Sequence, residues 1–352
     1  MNKFILMLAL AGSCLVSCGT QTYTHARAHE QTLAAADVKA QKQARNVILM
    51  IGDGMGAEHV WSAWLCNKGK LNLTTLPYTG FSITTSASHT ITDSAAGGTA
   101  IACGQKTVNG QVGVDAEGKA VESLAEQMRK AGKATGIVVT KAVTDATPAA
   151  FYAHVRSRKD TAAIAEALTE AGFDVVAGGG RDNFTEKQRE ELQKSCKMLE
   201  LAAPGDCEPA SKRGDWLPQR VEQALQLLEQ DKDGFFLMVE GSKIDMSAHV
   251  NDLDETVRET LDFDCAVGVV LRWMQKRNDT LLVVTADHQT GGLSILGGDK
   301  DKGKVEGHFS SFRHSGISVP VYAAGCGAAA FTGVQDNTAL APKIRRAAGV
   351  KP

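Results

Sequence analysis

Val47-Ile48-Leu49-Met50-Ile51-Gly52-Asp53-Gly54-Met55-Gly56 is the stretch that decides the fold of this chain. Its opening apolar run shows no polar alternation, which describes a strand buried on both faces, as in the centre of a parallel sheet. A glycine turn carrying one carboxylate follows at once. In parallel sheets ligands bind beyond the carboxyl ends of the strands, so Asp53 falls on the expected site edge. Similar runs recur at 135–139, 175–177, 235–239, 281–285 and 319–323. Stretches with helical spacing lie between them, at 121–130, 161–171, 219–229 and 253–276. This alternation predicts an α/β fold, with a doubly wound, mostly parallel central sheet and helices on both faces. No internal repeat or Pro-rich linker interrupts residues 45–352, which read as one domain.

The 352 residues are 43% hydrophobic and include 35 glycines, a composition that suits a globular core with many tight turns. A formal net charge of −2 offers no basic excess for a phosphate backbone, so no nucleic-acid binding is expected. Residues 1–17 carry Lys3 and then an apolar run, the pattern of a secretory signal peptide. The run is too short to span a bilayer, which takes roughly 20 residues. Leu15-Val16-Ser17-Cys18 resembles the bacterial lipobox. That likeness implies a lipid on Cys18 and an exported, periplasmic or cell-surface lipoprotein anchored to a membrane. Residues 18–44 lack an apolar face and read as a flexible tether. Cys196 and Cys207 flank a short polar segment and are the pair that could close a disulfide loop after export. Cys66, Cys103, Cys265 and Cys326 lie in apolar surroundings and read as small core hydrophobes.

Residues with metal-ligand chemistry gather after the buried runs. Asp53 follows the first, Glu240 the run at 235–239, and Asp287-His288 the run at 281–285. Asp245 and His249 are spaced i,i+4, which places both on one helical face. Each piece alone has an ordinary explanation: a tight turn, a surface Asp/His pair, a helix cap. Together with His308 or His314 they supply oxygen and nitrogen ligands for more than one zinc, and Thr147 and Glu240 add hard oxygens suited to magnesium.

The motifs resemble those of the alkaline phosphatase family. Asp93-Ser94-Ala95-Ala96 looks like its nucleophile motif, and Asp145-Ala146-Thr147-Pro148-Ala149-Ala150 followed by His154-Val155-Arg156-Ser157-Arg158 like its magnesium and phosphate stretch. Val239-Glu240-Gly241-Ser242-Lys243-Ile244-Asp245 with His249, and Thr285-Ala286-Asp287-His288, match its two later metal motifs. The likeness runs in order from about residue 46 to residue 325. It implies that Asp245, His249 and His314 hold one zinc and that Asp53, Asp287 and His288 hold a second, with Ser94 oxygen as an exchangeable ligand. His314 is preferred to His308 because it precedes the run at 319–323, as the family's last ligand does. Asp53, Thr147 and Glu240 would hold magnesium, with Asp145 ordering its water. Arg158 would clamp phosphoryl oxygens, oriented by Asp93.

The implied activity is hydrolysis of small-molecule phosphate monoesters through a phosphoserine on Ser94, with two zinc ions and one magnesium ion. A homodimer is implied too, since relatives are commonly dimers. One departure stands out: Met246 follows Asp245 where many relatives carry Lys, His or Trp, and methionine donates no hydrogen bond. Two rivals remain on sequence grounds, a phosphodiesterase or sulfatase on the same scaffold and a non-catalytic lipoprotein that binds metal or phosphate.

Overall fold

The computed structural model describes residues 19–32 and 41–351, so the expected signal peptide and the expected lipid site at Cys18 lie outside the described residues. Among the described residues, strand β1 (Gln21–Thr24) comes first in the chain. The main sheet has nine strands: β2 (Asn46–Gly52), β3 (Tyr78–Ile83), β4 (Ala134–Ala142), β5 (Val175–Gly179), β6 (Met198–Leu201), β7 (Phe235–Gly241), β8 (Thr280–Thr285), β13 (Val319–Gly325) and β14 (Gly333–Asp336). Between β8 and β13 lie two short strands, β9 (Gln289–Thr290) and β12 (His314–Ser315), and the pair β10 (Leu293–Asp299) and β11 (Lys304–Phe309).

The sheet runs β14-β3-β13-β8-β2-β7-β4-β5-β6. From β8 to β6 every pairing is parallel, and β2 sits inside this block with Val47 opposite Phe236 on one side and Leu281 on the other. Alternate residues of β2 feed two cores. Ile48 and Met50 pack with Leu217, Val221, Val257 and Leu261 from the helices Trp216–Leu228 and Leu253–Met274. Val47, Leu49 and Ile51 pack with Ile101, Leu124, Ile164 and Leu168 from helices on the opposite face. All seven residues of β2 are buried, which is why its sequence shows no alternation.

Three expectations differ from the structure. The run at 319–323 forms β13, but it lies antiparallel to both β8 and β3. The reason is the connection: between β8 and β13 the chain forms only short strands and turns, and without a crossover helix it re-enters the sheet from the end it left. The tether is also not featureless, because β1 adds antiparallel to β11, Tyr23 is buried, and Gln21 bonds the backbone of Asn251 and Leu253. Polar edge pairing holds this segment where an apolar face could not. Finally, Cys196 and Cys207 are both free thiols. Lys197, next to Cys196, bonds Asp174 just before β5, whereas Gly205 and Asp206, just before Cys207, bond Gly180 and Ala142 at the carboxyl ends of β5 and β4. The two cysteines therefore flank opposite ends of the sheet, and a disulfide needs Cα atoms within about 7 Å.

Candidate active site

The parallel block delivers its strand ends to one edge. Asp53 leaves β2 through Gly54, which has φ +71° and donates its N–H to Asp287 Oδ1 at 3.1 Å. A Cβ at Gly54 would come within 2.7 Å of Thr290 Oγ1, so glycine serves both the turn and the close approach. Glu240 lies near the end of β7, and the helix Lys243–His249 that follows carries Asp245 and His249. Asp287 and His288 follow β8, and β9 pairs with β12 so that Thr290 lies opposite His314. This small ribbon brings His314 from 26 residues further along the chain onto the same edge.

Ser94 opens the helix Ser94–Cys103 and is almost fully buried. Asp93 caps this helix: its Oδ1 accepts from Ala96 N–H at 3.0 Å and its Oδ2 from Gly110 N–H at 3.0 Å. Ser94 Oγ thus sits at the positive end of the helix with its own hydroxyl uncommitted to capping. Gly97 lets the helix approach closely, since a Cβ there would lie 2.9 Å from the Asp287 carbonyl oxygen. The Oγ of Ser94 is 3.2 Å from His288 Nε2.

Two overlapping groups have ligand atoms mutually within 4.8 Å: Asp245, His249 and His314, and Asp53, Asp245 and His288. The first is the trio assigned from the motifs. In the second, Asp245 stands with Asp53 and His288, while Asp287 Oδ2 lies 3.2 Å from His288 Nε2. Asp245 therefore faces both positions. His308 lies elsewhere, on β11 opposite Ser294.

Hydrogen bonds fix the tautomers. His249 Nδ1 lies 2.7 Å from the Phe312 carbonyl and His314 Nδ1 lies 2.9 Å from the Thr92 carbonyl, so each Nδ1 carries the proton and each Nε2 points its lone pair into the cluster. Thr290 Oγ1 donates to Asp245 Oδ1 at 2.5 Å, which leaves its lone pair to accept from His288 Nδ1 at 3.3 Å. Thr290 escapes motif reading, because a threonine after a strand has no chemical signature of its own.

The donor set fits cations. Both oxygens of Asp53 and Glu240, Asp287 Oδ2 and Thr147 Oγ1 are buried with no hydrogen-bond partner. Such atoms are costly in a protein interior unless a ligand meets them. Burial, then the charges of Asp287 and Asp245, lift Asp53 well above the usual carboxylate range. Burial and then Asp145 do the same to Glu240. Burial would raise Asp245 too, but the surrounding His314, His288 and His249 outweigh it and hold that carboxyl far below the range. Burial and then His314 push His288 down, which keeps its ring neutral and able to bind metal.

Arg158 reaches Asp93, the residue before Ser94, and Asp145. Its Nη1 lies 3.3 Å from Asp93 Oδ2 and its Nη2 lies 3.5 Å from Asp145 Oδ1, long contacts that orient the guanidinium without exhausting its donors. Lys141, which the motif reading passed over, donates to Asp145 Oδ2 at 2.9 Å. Met246 is 42% exposed.

Comparison with known proteins gives the family of the chain. The family model described as Alkaline phosphatase matches residues 44–206 and 188–308. The chain is 35% identical over 326 residues to Alkaline phosphatase 4 of Bacillus subtilis, a match covering 82% of this chain and 70% of that protein. It is 30% identical over 422 residues to the alkaline phosphatase of Escherichia coli, covering 92% and 90%. The solved alkaline phosphatase of the Antarctic bacterium TAB5 superposes with a TM-score of 0.83 at 32% identity, covering 88% of this chain and 99% of that one. A mutant of the TAB5 enzyme is described with Mg bound in the M3 site. With its sheet and these relatives taken together, the chain belongs to the alkaline phosphatase family of phosphoric monoester hydrolases.

Proposed function

We propose that this chain hydrolyses phosphate monoesters through a phosphoserine on Ser94, using two zinc ions and one magnesium ion. The observation that carries the reading is Ser94 Oγ at a helix N-terminus, 3.2 Å from His288 Nε2, beside buried carboxylate oxygens that lack a hydrogen-bond partner. Asp245, His249 and His314 would hold one zinc, and Asp53, Asp287 and His288 the other. Asp53, Thr147 and Glu240 would hold magnesium. When bound, these ions supply Lewis acidity at the reacting oxygens and charge neutralisation of the phosphoryl group.

The chain's own residues do the rest. Ser94 Oγ gives up its proton to solvent and forms a bond to phosphorus as the ester O–P bond breaks, and the leaving alkoxide takes up a proton from solvent to become the alcohol. The amide end of the helix Ser94–Cys103 favours the negative charge that gathers there. Arg158 presents its planar fork to two phosphoryl oxygens, braced by Asp93 and Asp145. Water then attacks the phosphoserine, releasing inorganic phosphate and restoring Ser94.

Two further features belong to the same proposal. The Cys18 motif supports export and lipid anchoring, and a Cys18→Ser variant that still sediments with membranes would remove that idea. Phe81 and Val334 face each other across β3 and β14 at 40% and 71% exposure, an apolar strip suited to a second copy. A monomer mass by light scattering would remove the homodimer.

The experiment for the activity is turnover of a matched aryl phosphate monoester, phosphodiester and sulfate, with metal analysis of the same sample. Arg158 and the set of carboxylate positions favour the dianionic monoester. A preference for the diester or the sulfate would overturn the assignment.

A further inference from the structure

Lys141 has no part in the chemistry above, yet it is held inside the site. It lies next to the last residue of β4, and its side chain is only 10% exposed. Burying an ammonium is costly unless it is paired. Asp145 provides the pairing and shares itself, taking Lys141 Nζ on one oxygen and Arg158 on the other. Geometry puts this ammonium beside the magnesium oxygens: on β4, Val139 lies in register with Glu240 of β7 and Lys141 follows two residues later, while its partner Asp145 lies two residues before Thr147. Glu240 and Thr147, with Asp53, carry the oxygens assigned above to magnesium. The third-ion pocket therefore contains a positive charge that is part of the chain.

We propose that Lys141 is a charge-setting residue of this pocket: its ammonium, fixed on Asp145, competes electrostatically with a divalent cation at Asp53, Thr147 and Glu240 and holds magnesium affinity down. Lys141 touches neither substrate nor reacting atoms and acts through the field it imposes. A second consequence follows from the shared carboxylate. Asp145 is pinned from the Lys141 side, so Arg158 is aimed at the phosphoryl position whether or not magnesium is bound. Burial works against the charged form of Lys141, but Asp145 and then Asp53 more than compensate and raise its pKa, so the ammonium persists over the working pH range.

The inference rests on the phosphatase reading, and its test separates the two. Magnesium is titrated calorimetrically into zinc-loaded wild type, Lys141→Met, which keeps the unbranched length without charge, and Lys141→Arg, which keeps the charge. Lys141→Gln is a second neutral variant should Lys141→Met not fold. The neutral variants are expected to bind magnesium about tenfold more tightly or better, and Lys141→Arg to stay within about twofold of wild type. A purely structural role for the Lys141 and Asp145 pair gives the opposite sign, because a loosened pocket binds magnesium more weakly. Unchanged or weaker binding in the neutral variants overturns the inference. Wild type is assayed on the aryl monoester in the same buffers, and a wild type without turnover overturns the phosphatase reading itself.

Discussion

Ser94→Ala is expected to lower turnover of an aryl phosphate monoester on the order of a thousandfold or more and to abolish the phosphoenzyme trapped by acid quench. The loss should be chemical and not structural. The helix Ser94–Cys103 is capped by the Asp93 side chain, not by the Ser94 hydroxyl, and alanine is a good helix former. Ser94 Oγ contacts His288 Nε2, so its removal opens a space the size of one hydroxyl beside that ring. Zinc content and melting temperature should therefore stay near wild type while activity collapses. A drop of less than tenfold, or a phosphoenzyme that survives the change, would show that another oxygen attacks phosphorus. A metal- or phosphate-binding lipoprotein would lose little on this substitution, so the same variant separates the catalytic reading from its non-enzymatic rival.

Sequence reading reached the inner strands of the parallel block because they are buried on both faces, and it missed the edge strand β6, whose four residues are all half-buried. In β2, β7 and β8 every residue is buried, and an unbroken apolar run survives as the signal. The strands that escaped are half-exposed or polar. Along β10 the burial alternates over Leu293–Asp299 around glycines, and along β3 only Gly80 and Ser82 are buried. In β1 only Tyr23 is buried, and the strand exists because β11 offers it an edge. That is a tertiary cause with no local trace.

The site divides along the same line. Asp53, Glu240, Asp287 and His288 are legible as charged or imidazole groups directly after buried runs, where water-facing turns would not need them. Lys141 and Thr290 are not, since a lysine near a strand end and a threonine after one are commonplace. Only the geometry shows Lys141 turned inward onto Asp145 and Thr290 bridging Asp245 and His288. The Cys196 and Cys207 expectation failed for a related reason: separation along the chain carries no information about direction across the sheet.

Removing the metals should make the stability of the protein depend on pH in a way the loaded protein does not. In the metal-free state Asp53 and Glu240 lie well above the carboxylate range, and Asp287 is pushed up to about 6 by burial and then Asp245. A group whose folded pKa exceeds its unfolded value favours the fold in full below the unfolded value, and that contribution is lost as pH rises through the folded one. His314 acts in the same sense, because its hydrogen bond to Asp245 and the Asp245 charge outweigh burial and raise it. His288, lowered chiefly by burial, acts in the opposite sense, but only below the ordinary histidine value near 6.5. Asp245, held below the carboxylate range, keeps its contribution throughout neutral and alkaline pH. Above pH 6.5 the surviving terms thus point one way, each up to about 1.4 kcal/mol per pH unit while it titrates. The chelated protein is expected to lose on the order of 5 °C or more in melting temperature between pH 6.5 and 9, together with its activity. Zinc and magnesium should restore both and flatten the profile, since bound cations meet the carboxylates in their charged form. Differential scanning fluorimetry of chelated and reloaded samples across this range measures the effect. A chelated protein whose melting temperature holds level or climbs with pH would mean that these carboxylates are not the crowded, partnerless charges their burial describes.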